Sequence, residues 1–292
     1  RFGPLSELRN RHLFQGVVGG ISWYGNCIGV PDVGGEINFS PSYSGNPLVN
    51  AMCVGLVKRD ELVSARASGI GNVLLLVGAD TGRDGIHGAS GLASRTFEDE
   101  RELRPTVQVG NPFLEKVLIE ACLELATSGY MVGMQDLGAA GLTSSAVESA
   151  ARAGNGLVLD LAQVPRREDA MNPYEVMLSE SQERMLLIIK RGFEQDAIAI
   201  CHRWDLNANI IGYVTDGEMI RLLDGSKDVA SLPVQILTDP PLYRPKAEEP
   251  PEFAELRSFD CANLSTADDG AGGGLLRLLA SPNIASKRFV YL

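Results

Sequence analysis

The sequence predicts an α+β, mixed α/β fold with a layered domain at its centre. Three observations carry that expectation. Strand-length apolar runs such as "NVLLLVGA" (Asn72–Ala79) alternate with helix-length stretches whose apolar residues recur at helical spacing. Glycines, asparagines and prolines bound these runs where strands turn and helices cap. No stretch recurs at the fixed period of a solenoid or propeller.

The elements follow in order. Residues 1 to about 65 are Gly-rich, with "GVVGGISWYGNCIGVPDVGGE" (Gly16–Glu36) and "SGNPLVNAMCVGLV" (Ser44–Val57), the second reading as a loop that enters a buried apolar strand. "NVLLLVGA" is a buried strand. Asn111 and Pro112 supply an N-cap and a first-turn proline. The helix behind them sets Leu114, Val117, Leu118, Ala121, Cys122 and Leu125 on one face and stops at Gly129. "YMVGMQD" (130–136) is the next strand. "TSSAVESAARAG" (143–154) is a second helix, with Ser145 and Glu148 spaced as a capping box and Gly154 as its stop. "RMLLIIK" (184–190) is a strand, and "FEQDAIAICHRW" (193–204) a helix presenting Phe193, Ala197, Ile200, Cys201 and Trp204. "ANIIGYV" and "EMIRLLD" read as a closing pair of strands. After about 235, "TDPPLYRPKAEEPPEF" is too proline-rich for a core and reads as a linker. "STADDGAGGG" (Ser265–Gly274) reads as a flexible insertion, and "LLRLLASPNIASKRFVYL" as the opening helix of a further domain.

Composition narrows the function. The 292 residues are 45% hydrophobic and 22% charged, with a formal net charge of -11. An acidic chain with no Lys/Arg block repels nucleic-acid phosphates and anionic membranes. Six per cent aromatic residues gives little material for base stacking. No apolar run is long enough to span a bilayer. Five scattered cysteines without a CxxC suggest neither a disulfide framework nor a thiolate metal site, and a reducing cytoplasm fits them. Three histidines without metal spacing argue against zinc, and His12 and His202 read as structural. The chain opens at "RFGPLSELRN" without a Met and closes on "KRFVYL", which suggests a piece of a longer protein.

Four stretches concentrate candidate chemistry. In "GMQDLGAAGLTSS" (Gly133–Ser145) Asp136 ends a strand, and Leu-Gly-Ala-Ala-Gly leads into a helix N-terminus. Bare backbone N–H groups there can hold a phosphate while the acid holds its bridging cation. The same residues also suit a plain strand–turn–helix junction. "LSESQERM" (Leu178–Met185) packs Ser179, Glu180, Ser181, Gln182, Glu183 and Arg184 before an apolar strand, either to read a polar ligand or as a solvated loop. "RPTVQVGNPF" puts Gln108 on an extended segment before a helix cap. "TGRDGIHGAS" (Thr81–Ser90) follows a strand with three glycines, Arg83, Asp84 and His87, as an anion nest or a catalytic loop. It lacks both the GxGxxG register and a Walker GK[ST]. A GxSxG nucleophile elbow is absent.

Seven stretches, in order, resemble one family: the synthetase (large) subunit of phosphoribosylformylglycinamidine synthase. They are "YGNCIGVPDVGGE", "GNPLVNAMCVG", "TGRDGIHGA", "RPTVQVGNPF", "QDLGAAGLTSS", "MLSESQERML" and "LLASPNIASKRF". The resemblance implies the end of an aminoimidazole-ribonucleotide-synthase-like N-terminal, nucleotide-binding domain in residues 1–65. It implies the related C-terminal-type layered α/β domain, on the substrate side, in 66–235, a linker in 236–274, and the start of a second nucleotide-binding domain in 275–292. The implied enzyme is a carbon–nitrogen ligase of purine synthesis. It uses ATP and Mg2+ to turn formylglycinamide ribonucleotide into the amidine, through an iminophosphate that ammonia displaces. A glutaminase subunit supplies the ammonia, and a small bridging subunit joins the two.

By the same resemblance Asp136 is a magnesium ligand, Gln108 contacts the ribonucleotide, and Glu180, Ser181 and Gln182 form its second contact patch. His87 and Lys287 fall in family motifs without an assigned role; Lys287 is a candidate for proximity to nucleotide. The family's catalytic histidines and further magnesium acids sit in an "ESHNHPS"-like segment that is absent before Arg1, so the section is expected to be inactive alone. Two rival readings are a non-catalytic assembly module that keeps the ancestral site and a related ATP-dependent synthetase, such as an aminoimidazole ribonucleotide synthase or a hydrogenase-maturation protein. The pairing of "QDLGAAG" with "SESQERM" favours the amidine-forming enzyme.

Overall fold

The polypeptide forms two units, residues 1–54 with 242–292 and residues 55–241. The structure, a computed structural model, describes residues 1–86, 108–239, 241–260 and 270–291.

In the first unit α1 (Leu8–Ile28) runs for 21 residues and ends at Gly29 in a left-handed cap. It buries only Asn10 and Phe14. The Asn10 amide donates to Pro4 O at 3.1 Å, Glu7 Oε2 at 3.0 Å and Ser44 Oγ at 3.2 Å, and its carbonyl accepts from Gly45 N at 2.9 Å. One buried side chain thus ties the helix start to two loops. The Phe14 ring meets Phe2 edge-on at 5.0 Å and lies 6.0 Å from Phe39 and 5.9 Å from Phe289. Asn283 accepts from Phe39 N at 2.5 Å and donates to Phe39 O at 3.0 Å. The C-terminal segment therefore packs in one unit with the N-terminal one. It carries helices at Glu252–Ser258, Gly270–Ala280 and Arg288–Tyr291.

Two expectations fail here. The helix at Gly270–Ala280 takes in Gly270–Gly274, read from sequence as part of a flexible insertion. The stretch ahead of Val57 forms no strand, and Met52 and Val54 are exposed because no partner strand lies beside them among the described residues.

The second unit is a seven-stranded mixed sheet. In chain order its elements are β1 (Val73–Gly78), α2 (Pro112–Ser128), β2 (Met131–Asp136), α3 (Gly141–Ala153), β3 (Gly156–Asp160) and α4 (Pro173–Leu178). They continue as β4 (Arg184–Ile189), α5 (Glu194–Arg203), β5 (Ala208–Thr215), β6 (Met219–Asp224), β7 (Lys227–Pro233) and α6 (Val234–Thr238). The strand order is β2-β4-β1-β5-β3-β6-β7. Every neighbouring pair is antiparallel except β3 with β6.

The apolar runs of β1 and β4 are continuous because helices cover both faces of the sheet there. Leu74, Leu76, Leu186 and Ile188 pack in one core with Leu142, Ala146 and Ala150 of α3. The alternate residues Leu75, Val77, Leu187 and Ile189 pack in a second core with Leu118, Ala121 and Leu125 of α2 and Ala197, Ile200 and Cys201 of α5. Burying each such side chain contributes about 1.5–3 kcal/mol.

The structure corrects three local readings. β5 and β6 do not pair with each other, because β3 lies between them. α3 begins at Gly141 with Ala140 as its cap, so Ser145 and Glu148 form no capping box. Instead Ser145 is buried inside the helix and Glu148 pairs with Arg152 at 2.7 Å. The capping box of this unit is at α4, where Asn172 Oδ1 accepts from Glu175 N and Glu175 Oε2 accepts from Asn172 N, each at 2.9 Å.

Candidate functional site

Because β4 runs antiparallel to both β1 and β2, its start meets their ends at one end of the sheet. Three connections converge there: residues 79–86 after β1, the Leu137–Ala140 turn after β2, and residues 179–183 before β4.

Glu180 links the three. It is 7% exposed. Its backbone N–H donates to Asp84 O at 2.7 Å, which binds it to the first connection. Its Oε1 accepts from Ala140 N at 2.9 Å, in the second. Its Oε2 accepts from Gln108 Nε2 at 2.7 Å. Ala140 sits in the left-handed region at φ 59, unusual for a residue with a side chain. Gly141 follows at φ 52, where an added Cβ would lie 1.9 Å from Ser179 O, so only glycine lets α3 start against this connection.

The connection itself is held from inside. Arg184 is 3% exposed and donates to Ser181 O at 2.8 Å, Ser179 O at 2.7 Å and Thr81 Oγ1 at 2.9 Å. Burial pulls its guanidinium down to about 10, and the Asp84 charge opposes that shift. The Ser181 hydroxyl donates to Asp84 Oδ2 and accepts from Gly82 N at 3.0 Å. Gln182 Nε2 donates to Glu180 O at 2.8 Å.

Two loops cross charges below. Asp84 accepts from Arg167 Nη2 at 2.5 Å, while Arg83 Nη1 donates to Glu168 at 3.1 Å and Nε to Glu175 at 2.7 Å. Hydrogen bonds from Glu175 and Glu168 raise the Arg83 guanidinium further above its ordinary value. Arg83 is therefore filled by carboxylates rather than open to an anion, which removes it from the anion-nest reading. His87 lies outside the described residues.

Asp136, at the end of β2, is exposed; its Oδ1 accepts from Gln135 Nε2 at 2.8 Å. It enters the Leu137–Ala140 turn whose far end binds Glu180. Burial, then the neighbouring charges of Glu183 and Asp136, raise the Glu115 carboxyl. Glu115 at this corner thus feels the charges of two further carboxylates, Glu183 and Asp136. Mg2+ is commonly held by one or two protein carboxylates together with phosphate oxygens and water. No ready-made cluster of three ligands occurs among the described residues.

The structure thus brings Gln108 and Glu180 into direct contact and sets Asp136 on the adjoining turn. Ser181 is 1% exposed and turns its hydroxyl inward. Lys287 lies in the other unit and donates to Pro282 O at 2.6 Å and Ala285 O at 3.2 Å, within its own loop. Sequence reasoning missed Arg167, and it placed Arg184 and Gly85 inside candidate motifs without giving either a role of its own. Only the complementary order of Arg83-Asp84 against Arg167-Glu168 hinted at such pairing.

The C-terminal domain of AIR synthase related protein matches residues 69–225, and the N-terminal domain of that family matches residues 2–57. The chain is 56% identical over 293 residues to the phosphoribosylformylglycinamidine synthase subunit PurL of Thermomicrobium roseum. It is 53% identical over 292 residues to that of Moorella thermoacetica. It is covered completely in both, but spans only 40% of each relative. Among solved structures, Thermotoga maritima PurL complexed with FGAR superposes with a TM-score of 0.74 at 39% identity, over 81% of this chain and 39% of that one. The same protein complexed with ATP gives 0.70 at 37% identity, over 81% and 37%.

Proposed function

The chain belongs to the AIR synthase related family, and from that premise we propose that it is a section of the ATP- and Mg-dependent ligase that converts formylglycinamide ribonucleotide to formylglycinamidine ribonucleotide in purine biosynthesis. The observation that carries the reading is the convergence of Gln108, Glu180 and the Ala140 N–H. A buried carboxylate already satisfied by two donors is rigidly aimed, and it can exchange the exposed one, the Gln108 amide, for a hydroxyl or N–H of a ligand. The identity to PurL relatives along the whole chain and the FGAR and ATP complexes of T. maritima PurL support the substrate class.

On this reading Gln108, Glu180 and Gln182 contact the ribonucleotide, and Ser181 keeps the patch in place with its side chain turned inward. Asp136 holds Mg2+, with the ion supplying charge neutralisation for phosphoryl transfer. Gly138 in the Leu137–Ala140 turn leaves backbone without a side chain beside it. Residues 1–65 and 66–235 take the nucleotide-side and substrate-side roles, with 236–274 connecting to a second half that starts at 275. Ammonia comes from a glutaminase subunit held by a small bridging subunit, in the cytoplasm. The 292-residue section alone does not turn over.

The test uses the full-length protein that carries these residues. Asp136→Asn is expected to lower Mg–ATP-dependent turnover about a hundredfold or more with an unchanged circular dichroism spectrum. Near-normal phosphate release in that variant leaves the assembly-module reading in its place.

A further inference from the structure

Gly85 has φ 63, and a Cβ built on it would lie 2.5 Å from Glu180 Oε2, 2.6 Å from Glu180 Cβ and 2.8 Å from Gln108 Nε2. We infer that Gly85 is a positioning residue of the site: the missing side chain lets the loop after β1 close beneath Glu180 and holds its carboxylate in reach of Gln108 and Ala140 together. This rests on the reading of Glu180 and Gln108 as substrate contacts.

Two of the three close approaches are to the ends of flexible side chains, which could swing aside. The third is not. Glu180 Cβ is fixed to a backbone that donates to Asp84 O at 2.7 Å, one residue before Gly85. The neighbouring hydroxyls also bind the Gly85 loop. Ser179 Oγ donates to Gly82 O at 2.6 Å, and Ser181 Oγ donates to Asp84. Arg184 clamps the carbonyls of Ser179 and Ser181 on either side of Glu180. A methyl group at Gly85 therefore has no rotamer change that relieves it. It must push the Glu180 backbone away from the loop, and the Oε1–Ala140 and Oε2–Gln108 contacts, at 2.9 and 2.7 Å, cannot both survive that shift. The consequence is a change in where a recognition carboxylate points. It predicts weakened ribonucleotide binding rather than a slower chemical step.

The experiment is steady-state kinetics on the full-length protein carrying Gly85→Ala, beside Gly129→Ala. Gly129 also has a positive φ, 77, but no atom stands within 4 Å of its added Cβ, so it reports the backbone cost alone. Gly85→Ala is expected to raise KM for formylglycinamide ribonucleotide by about tenfold or more, with kcat and KM for Mg–ATP within about twofold, the pattern of lost uniform binding. Gly129→Ala is expected to change neither. A KM for the ribonucleotide that moves no more in Gly85→Ala than in Gly129→Ala overturns the inference. Glu180→Gln separates that failure from failure of the underlying reading. If Glu180→Gln raises the ribonucleotide KM and Gly85→Ala does not, Gly85 alone loses its role; if neither does, the substrate-contact reading falls. Should Gly85→Ala not fold, the substitution is repeated in a Glu180→Gly background, which removes the opposing Cβ. The alanine is then expected to fold with a melting shift like that of Gly129→Ala, and failure to fold there also overturns the inference.

Discussion

At the residue scale, burial decides which reactive groups of the second unit are available. Arg184 shows the favourable case: a buried cation is tolerated because its three hydrogen-bond partners are all present, and Asp84 lies near enough to oppose its loss of charge. The thiols show the inert case. Burial, the largest cause for each, pushes Cys122 up to about 12 and Cys201 up to about 11. Both sit in the core between α2, α5 and the sheet. Neither forms a useful fraction of thiolate at neutral pH. Iodoacetamide labelling of the native protein, read by peptide mass spectrometry, is expected to modify exposed Cys53 and spare Cys122 and Cys201 until denaturant is added. Labelling of Cys122 at the Cys53 rate defeats the expectation. The linkage has a definite sign. A thiol whose pKa is raised on folding keeps its proton in the native state while the unfolded chain loses it, so stability falls as pH rises from about 9 toward 12. Both cysteines stand on helix faces whose burial is readable from apolar spacing. Arg184 stood out only as one member of a polar cluster before a strand, and its inward role depends on the Ser179 and Ser181 carbonyls and Thr81 that surround it.

Among the elements, legibility followed locality. α2 was readable from its cap and apolar face, and α5 from its apolar face alone, because these depend on residues a few positions apart. Phe193, read as part of that face, is instead the N-cap of α5 and 40% exposed. β1 and β4 were readable because a strand covered on both faces must be apolar throughout. β3 was not, since the five residues of Gly156–Asp160 acquire their meaning only from β5 on one side and β6 on the other. The start of α3 was misplaced for a related reason: the fit of Gly141 against Ser179 O joins residues far apart in sequence. The candidate site divides in the same way. Its motif residues could be picked out, but their supporting ion pairs are contacts between distant loops. α4 joins the two levels. Its capping-box acid, Glu175, also receives Arg83 Nε at 2.7 Å, so one carboxylate fixes a helix start and a loop beneath the site. Arg83 first, then the Asn172 N–H, hold the Glu175 carboxyl below its ordinary value. Its contribution is therefore present above the usual carboxylate range and lost as pH falls through the lowered folded value. Asn172→Ala is expected to cost about 1 kcal/mol in urea unfolding at pH 7. Glu175→Gln is expected to flatten the acid limb of stability against pH, and an acid limb identical to wild type contradicts the role given to the Arg83–Glu175 pair.

For the molecule as a whole, apolar burial is distributed very unevenly between its two units. Phe2 and Phe14 are the only buried apolar residues of the first unit among those described, whereas the second contains every residue of both core clusters. The first unit also leaves Trp23 62% exposed and Leu276 70% exposed. A polypeptide must bury enough apolar surface to offset the conformational entropy of its ordered residues. The second unit has cores on both faces of a sheet to do so, while the first has one aromatic cluster and the Asn10 bonds. The two should therefore differ when separated. Residues 55–241 expressed alone are expected to unfold in a single cooperative transition in urea, with fluorescence and circular dichroism coincident. Residues 1–54 joined to 242–292 by a short flexible linker are expected to bind an apolar dye and show no cooperative transition, because extended helical segments with exposed leucines are not stable at this level of burial. The decisive measurement is a pair of urea titrations at matched concentration. A cooperative transition in the second product, or its absence in the first, would show that stability does not follow the distribution of buried apolar residues.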